Sequence, residues 1–134
     1  VADLGRGLDS LALGAIEEMD VLVLVVTLEV PALQLAKLAL RYLNEAGITA
    51  DKVRVVLNRV SKRAGITPED VEGVLAKQLC CSIPNDYGAL EEAYAHGRLL
   101  PEGHRLRSAI AGLTTRLTGL ETAQPKKKFS LFGL

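Results

Sequence analysis

The stretch Val53-Arg54-Val55-Val56-Leu57-Asn58-Arg59 decides the fold of this chain. Its run of aliphatic, mostly β-branched side chains is typical of a strand that is covered on both faces, as the strands of parallel sheets are. An amide and a guanidinium, those of Asn58 and Arg59, stand at its end. In open α/β sheets, ligands bind outside the carboxyl ends of the strands. The stretch therefore predicts a buried strand with a ligand-binding edge.

Two further apolar stretches predict strands before and after it. Val21–Thr27 is almost wholly apolar, and Leu79–Ile83 passes into the polar Pro84-Asn85-Asp86. Capping residues, prolines and glycines predict helices at about 9–19, 31–46, from 67 onward, 85–97 and 103–118. Alternating strands and helices with short connections require right-handed crossovers. The predicted fold class is α/β, a parallel sheet with helices on both faces.

Two of these helices carry more detailed predictions. Thr67-Pro68-Glu69-Asp70 combines a capping residue, a proline in the first turn and the acidic member of a capping box. Val71, Val74 and Leu75 are expected to form the inner face of that helix. The apolar positions of residues 31–46 cover most of the circumference, which predicts packing on more than one side.

Composition limits the classes of function. Apolar residues make up 49% of the chain and aromatic residues only 4%, which predicts an aliphatic core. With 16 basic and 16 acidic residues, the chain has no net attraction to nucleic acid. Cys80 and Cys81 are adjacent on a predicted strand, so we expect buried reduced thiols and a cytoplasmic protein. The longest apolar run, Val21–Leu28, is shorter than the roughly 20 residues that span a membrane.

The candidate site residues have two interpretations each. Asp3, at the end of a predicted strand tail over residues 1–3, is either a magnesium-side carboxylate or a cap. Asn58 either binds a base edge with its paired donor and acceptor or caps its own loop. Arg59, Lys62 and Arg63 either bind phosphate or form a solvated basic loop. No phosphate loop of the form G-x-x-x-x-G-K-[ST] occurs in the 134 residues.

In order, these pieces resemble the C-terminal half of the MinD/ParA family of deviant Walker-A ATPases. Asp3-Leu4-Gly5-Arg6-Gly7, Leu57-Asn58-Arg59 and Ile83-Pro84-Asn85-Asp86 carry the resemblance, followed by Ala95-His96-Gly97-Arg98-Leu99-Leu100. The set is most similar to the CpaE/TadZ branch, which serves Flp/Tad-type pilus assembly. The resemblance covers residues 1 to about 118 and implies the C-terminal part of a P-loop NTPase of SIMIBI type.

The resemblance implies roles for particular residues. Asp3 matches the Walker-B aspartate, which holds magnesium through water, and Gly7 matches the switch loop that approaches the γ-phosphate. Gly5 replaces the proline that is usual in that loop.

On the other two strands, the resemblance implies a base site. Asn58 matches the asparagine that contacts adenine, and Arg59 belongs to the same motif. Pro84 and Asn85 match the loop that flanks the base and the ribose.

The family's phosphate loop, signature lysine and switch-I aspartate lie upstream of the Walker-B strand, and the sequence does not contain them. We therefore expect a C-terminal fragment that is inactive alone and lacks the central strand of the family sheet. The resemblance implies a parent that binds ATP and magnesium, forms a homodimer, and works with pilus or secretion machinery proteins in pilus assembly or protein positioning. Two alternatives stay open: a non-enzymatic localisation module with a degenerate ATPase fold, and a chromosome- or plasmid-partition ATPase.

A predicted tail, residues 121–134, follows a domain at residues 1–120. Its contact residues are three lysines and two phenylalanines, namely Lys126, Lys127, Lys128, Phe129 and Phe132. The tail is either a frayed terminus or a docking segment for a partner groove or an anionic membrane. Docking to a membrane implies a peripheral location at the inner membrane face.

Overall fold

The computed structural model describes residues 1–5, 7–61 and 65–120. In chain order its elements are α1 (Ser10–Glu18), β1 (Leu22–Val26), α2 (Val30–Glu45), β2 (Val53–Val60), α3 (Pro68–Leu75), β3 (Leu79–Pro84), α4 (Tyr87–Ala95) and α5 (Arg105–Thr118). Strands alternate with helices from α1 to α4. This order confirms the predicted α/β class.

The three strands form one parallel sheet in the order β1-β2-β3. The pairing of β1 with β2 runs in register from Leu22 opposite Val53 to Val26 opposite Leu57. In a parallel sheet all carboxyl ends lie at one edge, which the sequence predicted to bind a ligand. Among the described residues no strand pairs with the outer side of β1, so its backbone groups there are open.

The predicted strand tail over residues 1–3 is wrong. These residues are exposed and have no strand structure. A strand needs a backbone partner for its N–H and C=O groups, and none of the described strands runs beside this segment.

An aliphatic core holds α2 and α3 against one face of the sheet. Its buried members are Val26, Val55 and Leu57 of the strands, Leu33 and Ala36 of α2, and Val71 and Leu75 of α3. Burying each large aliphatic side chain contributes about 1.5–3 kcal/mol. A second cluster, near the amino ends of the strands, joins α1 to α2 and β2 through Ile16, Leu43, Ile48 and Val53.

The opposite face of the sheet is covered at β2 but not at β1, where Val25, the partner of Val56, is 57% exposed. Val56 points away from Val55 and Leu57 because side chains alternate along a strand, yet it is only 1% exposed. α5 contacts β3 and contributes no residue to either cluster on the first face. The prediction of helices on both faces is therefore confirmed.

Helix packing departs from the predictions at two places. Leu33, Ala36 and Leu43 of α2 are buried, whereas Leu35 is 66% exposed. In the part of the chain that the structure describes, α2 therefore packs on one side only, and the predicted packing on more sides is wrong. Val74 of α3 is 44% exposed, because the line through Val71 and Leu75 faces the sheet instead.

Predictions that rest on neighbouring residues in the sequence agree better with the structure than those of helix packing. Thr67 and Asp70 form the predicted capping box, with the Asp70 N–H donating to the Thr67 hydroxyl at 3.2 Å and the Thr67 N–H donating to the Asp70 carboxylate at 2.9 Å. Cys80 and Cys81 are free thiols, as predicted, but only half-buried. Burial raises the pKa of the Cys81 thiol. None of the described helices is long and apolar enough to cross a membrane.

Candidate functional site

The carboxyl end of β2 contains a bulge. β2 continues past Asn58 and Arg59 to Val60, and its pairing with β3 shifts between Leu57 and Val60. The predicted end of the strand at Asn58 is therefore wrong, because the bulge lets Val60 resume pairing. Arg59 has φ +56°, a left-handed conformation that costs a non-glycine residue about 1 kcal/mol or more. Strained residues of this kind are common at functional sites.

Asn58 is half-buried in this bulge. Its side-chain oxygen accepts the backbone N–H of Arg59 at 2.9 Å, which is the bond expected of a loop cap. The NH₂ group of Asn58 has no hydrogen-bond partner within the described ranges, and the oxygen keeps a second lone pair. The cap and base-binding interpretations are therefore compatible in this geometry.

The carboxyl end of β3 lies directly beside this bulge. Pro84 pairs with Val60, and the backbone N–H of Asn85 donates to the Val60 carbonyl at 2.9 Å. The Asn85 side chain is exposed at the edge. The structure thus brings together four predicted site residues, Asn58, Arg59, Pro84 and Asn85; their role in binding stays a prediction.

Three residues that the sequence analysis did not assign to the site hold the loop after β3. The Arg105 Nε donates to the Asp86 carboxylate at 3.0 Å, and the Arg105 Nη2 donates to the Asn85 carbonyl at 2.9 Å. The His104 Nε2 lies 3.4 Å from the same Asp86 oxygen. The Arg105 guanidinium holds the pKa of Asp86 below its usual range. Arg105 is 19 residues from Asp86, and no motif links them.

His104 also begins α5. Its Nδ1 accepts the backbone N–H of Leu106 at 3.3 Å, which makes it the N-cap of this helix. An Nδ1 that accepts carries no proton, so these contacts assign the proton of the neutral ring to Nε2, facing Asp86. The His104 side chain is only 22% exposed.

A cavity of about 330 Å³ opens at the carboxyl end of β1, next to the same bulge. Its lining includes Leu28, Glu29, Arg59 and Ser61. The Thr27 hydroxyl beside the Glu29 carboxylate lowers the pKa of that group, and the charge of Arg59 lowers it further. A carboxylate and a guanidinium therefore share this cavity. A smaller cavity of about 160 Å³ lies at the opposite edge of the sheet, between α2 and α3.

Asp3 and Gly7 are less constrained. The Asp3 carboxylate is exposed and accepts the backbone N–H of Gly5 at 2.9 Å. Gly7 is exposed, with open space where a side chain would begin. No group of three or more His, Cys, Asp or Glu side chains able to hold a metal occurs in ranges 1–5, 7–61 and 65–120. The metal role of Asp3 and the switch role of Gly7 stay predictions.

Two predictions fall on residues that lie outside the described ranges. They are the phosphate contacts of Lys62 and Arg63 and the membrane or partner contacts of Lys126, Lys127, Lys128, Phe129 and Phe132.

Comparison with known proteins found matches among solved structures. Neither a family model nor a curated protein matches the chain. A ParA family ATPase from Chlorobium tepidum TLS is similar over 84% of this chain and 47% of its own, with TM-score 0.70 and 22% identity. MinD from Aquifex aeolicus is similar over 90% of this chain and 52% of its own, with TM-score 0.71 and 22% identity. The MinC:MinD complex from the same organism gives TM-score 0.71 at 21% identity, over 90% of this chain and 51% of that chain.

These structural similarities establish the fold of the chain. The chain has the α/β fold of MinD/ParA ATPases and spans about half the length of the solved chains that it matches.

Proposed function

We propose that the described residues form the adenine-binding side of a MinD/ParA-like ATP-binding domain. The observation that carries the proposal is the bond from the Asn85 N–H to the Val60 carbonyl. It joins the carboxyl ends of β2 and β3, so Asn58, Pro84 and Asn85 stand at one edge of the sheet. The similar solved structures are ATPases, and ligands of open α/β sheets bind at this edge.

Asn58 has the chemistry to distinguish adenine from guanine. Adenine presents a ring acceptor, N7, next to an amino donor, N6, and an asparagine amide pairs with both. Guanine presents two acceptors at the same positions, N7 and O6, so the Asn58 oxygen would face another oxygen. The NH₂ group of Asn58, which has no partner in the described part of the chain, and its remaining lone pair fit adenine and oppose guanine. Pro84 and Asn85 would flank the base, and Arg59 would lie towards the phosphates.

Magnesium and the phosphates would lie towards Asp3 and Gly7 in this proposal. Magnesium keeps several of its waters and is usually held by one or two carboxylates together with phosphate oxygens. A single carboxylate, Asp3, is consistent with this mode. Bound magnesium would supply charge neutralisation at the phosphates. No residue in the sequence forms a phosphate loop, so we expect residues 1–134 to hydrolyse no ATP.

We further propose that the chain belongs to a homodimeric ATPase that acts in pilus assembly or protein positioning in the cytoplasm. The set of motifs in the sequence favours the CpaE/TadZ branch of the family, which serves pilus assembly. One similar structure is a MinD protein bound to MinC, so we propose that this chain also works with a protein partner, from the pilus or secretion machinery. Residues 1–120 would be the C-terminal part of the ATPase domain, and residues 121–134 a tail for weak contact with the inner membrane face.

The proposal is tested by titrating the ¹⁵N-labelled 134-residue chain with adenosine and, separately, with guanosine. We expect weak binding of adenosine, with shifts of the Asn58 side-chain amide and the Asn85 backbone amide, and weaker binding of guanosine. The change Asn58→Ala should reduce adenosine affinity by about tenfold, because a base contact worth roughly 1–3 kcal/mol is lost. Asn44→Ala, an exposed asparagine at the opposite edge, is the matched control.

A different result would favour the second candidate, a non-enzymatic localisation module. α4 supports this candidate, because Tyr87 is 68% and Tyr94 is 89% exposed on a helix without a buried residue. Exposed apolar surface of this kind is common at protein contact sites. No shift at either asparagine with adenosine, or equal affinity for adenosine and guanosine, would contradict adenine binding.

A further inference from the structure

Asn85 is held from two sides through its backbone. Its N–H donates to the Val60 carbonyl of β2 at 2.9 Å, and its carbonyl accepts the Arg105 Nη2 of α5 at 2.9 Å. Both main-chain polar groups of one exposed loop residue are thus bonded to different elements. Its backbone position is therefore set by β2 and α5 together.

Arg105 is itself oriented by a carboxylate. Its Nε donates to the Asp86 Oδ2 at 3.0 Å while its Nη2 reaches Asn85, so two sides of the planar guanidinium are used at once. The His104 Nε2 lies 3.4 Å from the same Asp86 oxygen, so it also contacts the carboxylate. Asp86 is a quarter exposed and Arg105 about half exposed, so the contact is at the surface.

We propose that Arg105 is a positioning residue for the ligand edge, which holds the Pro84–Asn85 loop against the end of β2 so that it flanks a base bound at Asn58. The inference rests on the proposed function for its ligand. Asp86 and His104 act through Arg105 by fixing the guanidinium in the plane that reaches the Asn85 carbonyl. In this proposal none of these three residues contacts the base.

The chemistry of the contact requires arginine. A lysine ammonium is a compact charge without the rigid fork of the guanidinium. In Arg105→Lys, the new side chain can still pair with Asp86, but one ammonium does not reproduce the two directed bonds to Asp86 and Asn85. Arg105→Lys therefore keeps the positive charge and removes the pair of directed hydrogen bonds.

The chain offers a matched control on the same helix. Arg116, near the other end of α5, donates its Nη1 to the Cys80 carbonyl at the start of β3. Like Arg105, it is an exposed arginine that ties α5 to a backbone carbonyl of the β3 region. A role that is merely structural, joining α5 to the sheet, predicts similar effects from Arg105→Lys and Arg116→Lys.

The experiment uses the full 134-residue chain and measures three quantities by NMR. They are the hydrogen-exchange rate of the Asn85 N–H without ligand, the affinity for adenosine, and the ratio of adenosine to guanosine affinity. In Arg105→Lys we expect faster Asn85 exchange and a loss of about fivefold in adenosine affinity, equivalent to about 1 kcal/mol, with a lower adenosine-to-guanosine ratio. Arg116→Lys should leave all three values unchanged.

The outcomes separate this inference from the proposed function. A wild-type chain that does not respond to adenosine contradicts the proposed function, and the Asn85 exchange rate then decides the role of Arg105 by itself. Equal Asn85 exchange in Arg105→Lys and wild type, or equal effects of the two lysine variants, would overturn the inference. Should Arg105→Lys fail to fold, Asp86→Asn, which retains Arg105 and removes only the carboxylate charge, takes its place with the same expectations.

Discussion

The corner formed by β2, β3 and α5 differs from the N-terminal segment in how its motif residues are held. Both regions contain residues that match ordered motifs. At the corner, Asn85 is bonded to β2 and α5. In the N-terminal segment, the hydrogen bond of Asp3 within the described ranges is to Gly5, two residues away. The position of a motif residue is defined where a neighbouring element forms hydrogen bonds with its backbone N–H and C=O groups. Of these two regions, only the corner provides such neighbours among the described residues.

The largest expected effect is a loss of stability from a change in the core beneath the corner. Leu57 is fully buried directly before the bulge, so Leu57→Ala leaves a cavity in the core. We expect it to lower the free energy of unfolding by about 2–5 kcal/mol. Asp3→Ala removes one exposed local bond and should change it by less than about 0.5 kcal/mol. Urea denaturation of both variants measures the difference; comparable losses would show that the two regions are equally integrated.

A medium effect concerns the strain stored in the bulge. Arg59 adopts φ +56° without being glycine, so Arg59→Gly should raise the free energy of unfolding by about 1 kcal/mol. Thermal unfolding measures this change. Ala76→Gly, at φ +50° in the C-cap of α3, is the control and should give a gain of similar size. A loss of stability in Arg59→Gly alone would mean that contacts of the Arg59 side chain outweigh the strain.

The smallest effect concerns pH. Arg105 lowers the pKa of Asp86 in the folded chain, whereas the unfolded chain has the ordinary aspartate value of about 3.9. The carboxylate therefore contributes stability above about pH 4, which is lost as the pH falls through the lowered folded value. Asp86→Asn should lower stability near neutral pH and should weaken the further loss on acidification below pH 4. Parallel pH profiles of the variant and wild type, measured by thermal unfolding, would contradict a contribution from this pair.

The sheet was predictable from the sequence for a physical reason. Runs such as Val53–Leu57 are apolar on both faces, and only a covered strand accommodates them. Helix caps were equally predictable, because Thr67 and Asp70 form their capping box within one turn. These features depend on residues that are close in the sequence.

The features that the sequence did not predict depend on contacts between residues that are distant in the sequence. The contact of Arg105 with Asp86 spans 19 residues and follows from the direction in which α5 returns along β3. The bulge at Arg59 follows from the pairing of Val60 with Pro84. The exposure of Leu35 was missed because an apolar pattern reports hydrophobicity and not which neighbours are present. Asn58 kept both of its interpretations, since its oxygen caps the turn and its NH₂ group has no partner among the residues that the structure describes.

The central claim is that Asn58 and Asn85 form one base-binding edge. The most direct measurement is a set of intermolecular nuclear Overhauser effects between the labelled 134-residue chain and adenosine. We predict contacts from ring protons of adenine to the side-chain amide of Asn58 and to the Asn85 loop. Contacts at the opposite edge, around Leu43 and Lys77 where the smaller cavity lies, would contradict it, and so would a spectrum without contacts at saturating adenosine.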